Sequence, residues 1–185
     1  MIAYVFWHWK KPATPAHEYE SRQRAFHAAL AASPPAGFIR SFSAGFAGAP
    51  WTASKEAYED WYLVEDFSAL ASLNEGAVSG SRSVPHDAAA AGAVDGTGSI
   101  YALRWGRALS NPRASFWFGK PAGMSYGECF KRVEPVVENA RGALWMRQLA
   151  LGPAREFCLQ AEGPVTLPPG FEAFRVPLRQ VWPSP

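Results

Sequence analysis

The stretch that decides the fold is "VFWHWKKP" (residues 5–12), because "SFWFGKP" (residues 115–121) repeats it in the second half of the chain. Each is an aromatic run of strand length that stops at Lys-Pro, and proline cannot donate to a sheet ladder. Working outward, Tyr19, Phe26, Leu30 and Arg40 recur at a constant offset of 107 as Tyr126, Val133, Val137 and Arg147. The Lys-Pro pair recurs at 109, so the loop before the first helix is two residues longer in the first copy. Loops absorb insertions of that kind. A fixed period across a helix and the next strand reads as internal duplication. Helical periodicity, which repeats apolar residues on its own, is the competing account.

Both copies spell one order of elements. An aromatic strand at 2–9 is broken by Pro12 to Pro15 before a helix over 16–32 with the stripe Tyr19, Phe26, Ala29, Leu30. "PPAG" (34–37) ends that helix, and strands at 38–46 and 57–64 follow. A short helix near 66–75, an Ala-rich helical piece near 86–94 and a strand at 99–106 after the turn "DGTG" complete the first copy. The second copy runs as strand 113–119, helix 124–139 with Pro135 expected to kink it, and strands 143–151 and 155–161. A shrunken connection, "GPVTLPPG", then stands where a helix would be, before strand 171–179.

The order β-α-β-β-α-β is the ferredoxin-like unit. The fold class is therefore α+β, with two tandem units packed sheet to sheet as a pseudo-dimeric α+β barrel, divided at residues 1–108 and 109–185. Because the second unit supplies the partner sheet, the chain is expected to persist as a monomer.

Composition narrows the function. With 185 residues, 48% hydrophobic and 14% aromatic, the chain buries a sizeable core. The net charge of +2 is scattered, which argues against nucleic-acid and membrane partners. Two cysteines, Cys129 and Cys158, stand in no metal spacing, and charges follow rather than precede the apolar start, so a reduced, cytoplasmic protein is expected. Phosphate-binding glycine motifs and a GxSxG elbow are absent from the sequence.

The segment "KKPATPAHEYESRQRAFHAALAA" (10–32) resembles the strand exit and first helix of EthD-like and antibiotic-biosynthesis-monooxygenase-like proteins in the dimeric α+β-barrel superfamily. "GKPAGMSYGECFKRVEPVVEN" (119–139) resembles the same pattern with Glu134 in the histidine's place. The resemblance implies ferredoxin-like units around a hydrophobic pocket. It also implies cofactor-independent oxygenation, decarboxylation, dehydration or isomerisation of small aromatic molecules in some members, and no assigned activity in others. Only His27 matches the family's functional residue. Haem enters as a variant, since related barrels hold it through a histidine, and neither His86 nor His27 is selected as its ligand.

The residues themselves leave several readings open. On the first helix His27 lies about 80° from the stripe, at the border of core and solvent, with Gln23 as its nearer hydrogen-bond partner. It is either an edge histidine without a task or an acid–base group. Strand alternation puts Tyr4, Phe6 and His8 on one face, and Phe118 takes the place of His8 in the second copy. If that face lines the space between the sheets, His8 is a polar group in an aromatic cavity; otherwise it is a bonded core histidine.

Asp60 and Tyr62 of "EDWY" share a face, and Tyr62 and Arg104 are further candidate contacts. Arg40 either holds an acidic ligand or pairs with Glu59 or Asp60 at a sheet rim. Two functions remain. One is a binder or enzyme for a small, aromatic molecule using His8 or His27, and the other is a non-catalytic interaction protein with a filled barrel interior.

Overall fold

The computed structural model describes residues 1–54, 56–149 and 152–183. The first half runs β1 (Ile2–Lys10), α1 (Ala16–Ala32), β2 (Phe38–Ala47), β3 (Glu56–Val64), α2 (Ser68–Ala77), a 3₁₀ turn (Gly80–Arg82), α3 (Ser83–Gly92) and β4 (Ala93–Gly106). The second runs β5 (Ala114–Phe118), α4 (Tyr126–Asn139), β6 (Ala143–Gln148), β7 (Phe157–Ala161), β8 (Ala173–Pro177) and β9 (Arg179–Trp182). The expected extension of β6 to residues 150–151 lies outside the described residues.

The strands form one sheet in the order β8-β5-β7-β6-β4-β1-β3-β2-β9. Within it β4-β1-β3-β2 and β8-β5-β7-β6 each carry the fourth-first-third-second order of a ferredoxin-like unit. The units join edge to edge at β4 and β6, where Tyr101 faces Arg147 and Leu103 faces Trp145. At the far side β8 pairs with β5 and β9 pairs with β2, with Leu178 alone between them, so the sheet closes on itself through the end of the chain.

Alternation along each strand sends one set of side chains into the barrel. Trp7, Trp61, Trp117 and Trp145 are fully buried there with Phe42, Leu63, Tyr101 and Cys158. The interior is thus filled by rings, with Trp61 and Trp145 5.3 Å apart and Trp7 and Trp117 5.4 Å apart between centroids. The opposite set meets the helices: Ile2, Phe26, Leu30, Tyr62, Val64 and Leu73 form the core between the first-half sheet and α1–α3. The face of Tyr4, Phe6 and His8 belongs to this second layer, not to the space between the sheets. Ala3, Val5 and the Trp7 indole, on odd-numbered positions of β1, occupy the barrel, and the even-numbered face remains for the helices.

Two element boundaries differ from the sequence reading for identifiable reasons. "DGTG" is no turn, because β4 runs straight through it with Gly98 opposite Phe6 and Gly96 opposite His8. These glycines let aromatic rings lie flat on the strand: a Cβ added at Gly98 would stand 2.9 Å from the Tyr4 ring, and one at Gly96 would enter the Phe6 ring. The short helix α2 starts two residues late because Asp66 caps it, Oδ1 accepting from the amides of Ser68 at 2.9 Å and Ala69 at 3.1 Å. In the second half α4 runs through Pro135.

At the matched positions, Phe26 and Val133 are both buried, as are Leu30 and Val137. Tyr126 is 44% exposed where Tyr19 is enclosed, since no counterpart of α2 and α3 covers it. No described helix is long and apolar enough to cross a membrane.

Candidate functional site

β3 supplies the centre of the site. Its helix-facing positions are Tyr58, Asp60 and Tyr62, which lie opposite His8, Phe6 and Tyr4 of β1 and opposite Gly45, Ser43 and Ser41 of β2. A carboxylate in the middle of a central strand must find partners, because burying it unpaired is costly. Asp60 Oδ2 accepts a hydrogen bond from the Tyr62 hydroxyl at 2.9 Å. It also lies 3.1 Å from His8 Nε2 and 3.4 Å from His27 Nε2. Both imidazoles approach off the line of an aligned hydrogen bond, so each interaction is chiefly the attraction of ring and carboxylate. Burial works to raise the Asp60 carboxyl, and the two histidines outweigh it and hold the group far below the usual carboxylate range.

The outer nitrogen of each imidazole meets a hydroxyl. His8 Nδ1 is 2.5 Å from Tyr19 Oη and His27 Nδ1 is 2.7 Å from Ser41 Oγ. With an anion beside Nε2, the favoured tautomer of His8 carries its proton there and accepts from Tyr19 at Nδ1. Rings hold these groups in place: His8 stacks between Phe6 at 5.2 Å and Tyr58 at 5.6 Å, and His27 stacks between Tyr62 at 5.4 Å and Trp182 at 6.4 Å. Burial, together with the negative Asp60, pushes the Tyr19 and Tyr62 phenols up, so both stay protonated donors.

A cavity of about 480 Å³ opens on this cluster between the sheet and α1–α3. His8, Asp60, Tyr19 and Tyr62 lie at its polar end, and Phe6, Phe26, Leu70 and Leu73 are among its apolar walls. Gln23, Asn74 and His86 are its other polar lining residues. Among the described residues, Asp60 Oδ1 is buried with no hydrogen-bond partner, and so is the hydroxyl of Ser43 directly opposite it in register. Together these give a fixed anion with an open acceptor, backed by an imidazole that is linked to a phenol.

The cavity gathers Tyr4, Phe6, His8 and Tyr62 and leaves out the other candidates. His27 is not at a border with solvent: it is fully enclosed and bonded to Ser41 instead of Gln23, because α1 lies on the sheet with this flank against β2 and β3. Its ring nitrogens face Ser41 and Asp60, and Nδ1 of His86 lies 3.1 Å from Asp87 Oδ1. Among the described residues Arg40 pairs with no acidic neighbour. It sits at the barrel end and donates to the carbonyl of Ala108 at 2.7 Å, as Arg147 donates to Gly152 and Ala154 at 3.0 and 2.6 Å. Arg104 is exposed and lies over the Phe130 ring at 4.4 Å, beside α4.

Phe118, which takes the place of His8 in the second half, is buried with Phe157, Leu144 and Leu159 under α4. Both cysteines are free and buried, and burial pushes their thiols up, so neither is primed as a nucleophile. The sequence reading missed the central part of Asp60 and the part of Tyr19. An acidic doublet, Glu59-Asp60, inside an otherwise apolar strand was the available signal.

No family model matches the sequence, and no curated protein matches it. Solved structures do. A protein of Fusobacterium nucleatum subsp. nucleatum named "Putative monooxygenase" superposes with a TM-score of 0.63 at 10% identity, covering 97% of this chain and 92% of that one. An anthrone oxidase-like protein aligns over 98% and 93% of the two chains at 8% identity with a TM-score of 0.47. Identity this low speaks to architecture alone: the chain has the α+β-barrel fold of the monooxygenase-like structures, with two ferredoxin-like strand orders in one polypeptide.

Proposed function

We propose that the cavity binds a small aromatic molecule carrying a hydroxyl group and that Tyr19, His8 and Asp60 act on it as a proton relay. The observation that carries this reading is Asp60 in the lining of a largely apolar cavity, with an Oδ1 that has no hydrogen-bond partner among the described residues. A ligand hydroxyl donates to that oxygen while its ring packs against Phe6, Phe26 and Tyr62. Asp60, held so firmly ionised, is an anchor and not a base. The proton a substrate loses passes to Tyr19 Oη as Tyr19 delivers its own to His8 Nδ1, and Asp60 stabilises the imidazolium that forms. Such a step is shared by cofactor-independent oxygenation, decarboxylation, dehydration and isomerisation.

The recurring strand order, and the paired use of Arg40 and Arg147, support a tandem duplication of EthD-like units, 1–108 and 109–185, in which the first alone keeps a site. The filled barrel interior taken by itself favours a non-catalytic interaction protein. The cavity on the other face favours a ligand.

Thermal shifts with 1-naphthol, salicylate and hydroxyketones test the proposal, since a ligand that binds only the native state raises its melting temperature. At least one ring-bearing hydroxyl compound stabilises the protein, and Asp60→Asn and His8→Phe abolish that shift while the variants remain folded. A panel without effect on the unmodified protein, or an undiminished shift in both variants, defeats the reading.

A further inference from the structure

Both histidines that flank Asp60 are backed by residues of one short strand at the far end of the chain. Trp182 of β9 stacks on His27 with an interplanar angle of 15°. On the other side, Arg179 of β9 binds Glu20 of α1, with Nη1 3.2 Å from Oε2 and Nη2 2.5 Å from Oε1. Glu20 accepts in turn from the Tyr58 hydroxyl at 3.1 Å, and the Tyr58 ring lies parallel to His8 at 5.6 Å. Arg24, 3.8 Å from Glu20, is the remaining charge on this carboxylate.

Gly45 supports the same arrangement independently. It stands in mid-strand, opposite Tyr58 on one side and Arg179 on the other, and a Cβ there would lie 2.7 Å from Arg179 Nη2. A glycine inside a strand marks a close approach, and here it leaves the path along which the guanidinium reaches Glu20.

We infer that β9 is a positioning strap for the first-half site: Arg179, through Glu20 and Tyr58, fixes the plane of His8, and Trp182 fixes the plane of His27. The site therefore draws on both halves of the chain although its cavity lies in the first. Among the described residues β9 pairs with β2 alone, through Ser43, Ala44 and Gly45, so the strap has few other ladder bonds to hold it in place. The inference rests on the proposed ligand cavity for its functional weight and on ring geometry for its structural content.

Two readouts keep these apart. Imidazole proton signals in NMR spectra report the planes directly, and His17 and His86 serve as internal references among the four histidines. Trp182→Ala removes the ring-current shift of the His27 protons, Arg179→Ala moves those of His8, and Trp182→Phe and Arg179→Lys restore them. If Arg179→Ala does not fold, Arg179→Met, which keeps the aliphatic stem over Gly45, is read instead. Unmoved His8 and His27 signals, or all four histidines moving together, overturn the strap.

The second readout is affinity for 1-naphthol. It weakens about tenfold in Arg179→Ala and recovers to within about threefold in Arg179→Lys. An unchanged affinity in a variant whose His8 signals move overturns the strap's bearing on the cavity. If the unmodified protein binds no compound of the panel, the proposed function falls, and the imidazole signals still decide the strap; if it binds another member instead of 1-naphthol, that compound is the affinity probe.

Discussion

His8 Nε2 lies 3.1 Å from Asp60 Oδ2, and the two side chains expose no more than 2% of their surface. Removing one member of such a pair leaves the other buried without compensation. Asp60→Ala therefore costs about 3–5 kcal/mol in chemical denaturation at neutral pH, more than a neutral core truncation of that size.

The pH dependence follows with its sign. The folded carboxyl titrates far below its unfolded value near 3.9, so its contribution is complete above that value and is lost as pH falls through the folded value. Acid unfolding measured below about pH 4 is thus steep in the native protein and flatter in Asp60→Asn. Equal slopes would remove Asp60 as the acid-sensitive group.

Glu59, one residue earlier and on the opposite face, behaves in the opposite sense. It points into the barrel, where Trp61 Nε1 donates to its Oε1 at 3.0 Å, and burial among indoles pushes its carboxyl up to about 7. The native state then binds a proton that the unfolded chain releases near 4.3, so stability declines as pH rises from there to about 7 and levels off above it. The full decline amounts to about 4 kcal/mol, of which about 3 kcal/mol falls between pH 5 and pH 8. Urea midpoints at pH 5 and pH 8 measure it. Glu59→Gln removes the difference between the two, and a persistent difference assigns the slope elsewhere.

Gly96 carries a fourth prediction. A side chain there meets the Phe6 ring and, at 2.9 Å, the carbonyl oxygen of Trp7, which is backbone and cannot move aside cheaply. Gly96→Ala lowers stability by about 1–3 kcal/mol and pushes Phe6 toward the cavity. A melting temperature equal to that of the unmodified protein would show that the strand relaxes freely at this point.

The elements were legible in the sequence where a strong period met a strong stop: the aromatic run ending at Pro12, the stripe of the first long helix, and Asp60 with Tyr62 on one face of their strand. Alternation separates the two faces of a strand without saying which meets helices, and so it leaves the Tyr4 face open between the second sheet and the helices. Glycine misled for a related reason. In "DGTG" it serves ring contact across a strand pair, and a partner strand is invisible in a local window. The hub at Asp60 depends on the register of three strands and the docking of α1, which bring together residues 8, 27, 41, 60 and 62. Arg40 was read as charged and hence as a partner for acids, whereas its barrel-end position offers a loop carbonyl.

Closure of the sheet through Leu178 also bears on biosynthesis. A first half emerging from the ribosome completes β1–β4 with an open edge at β2, because the strand that covers it is β9. Through the synthesis of nearly the whole second half, that edge presents unpaired amides and carbonyls to any neighbouring nascent chain. Crowding of nascent chains on a polysome is therefore a condition that favours misassembly at this edge.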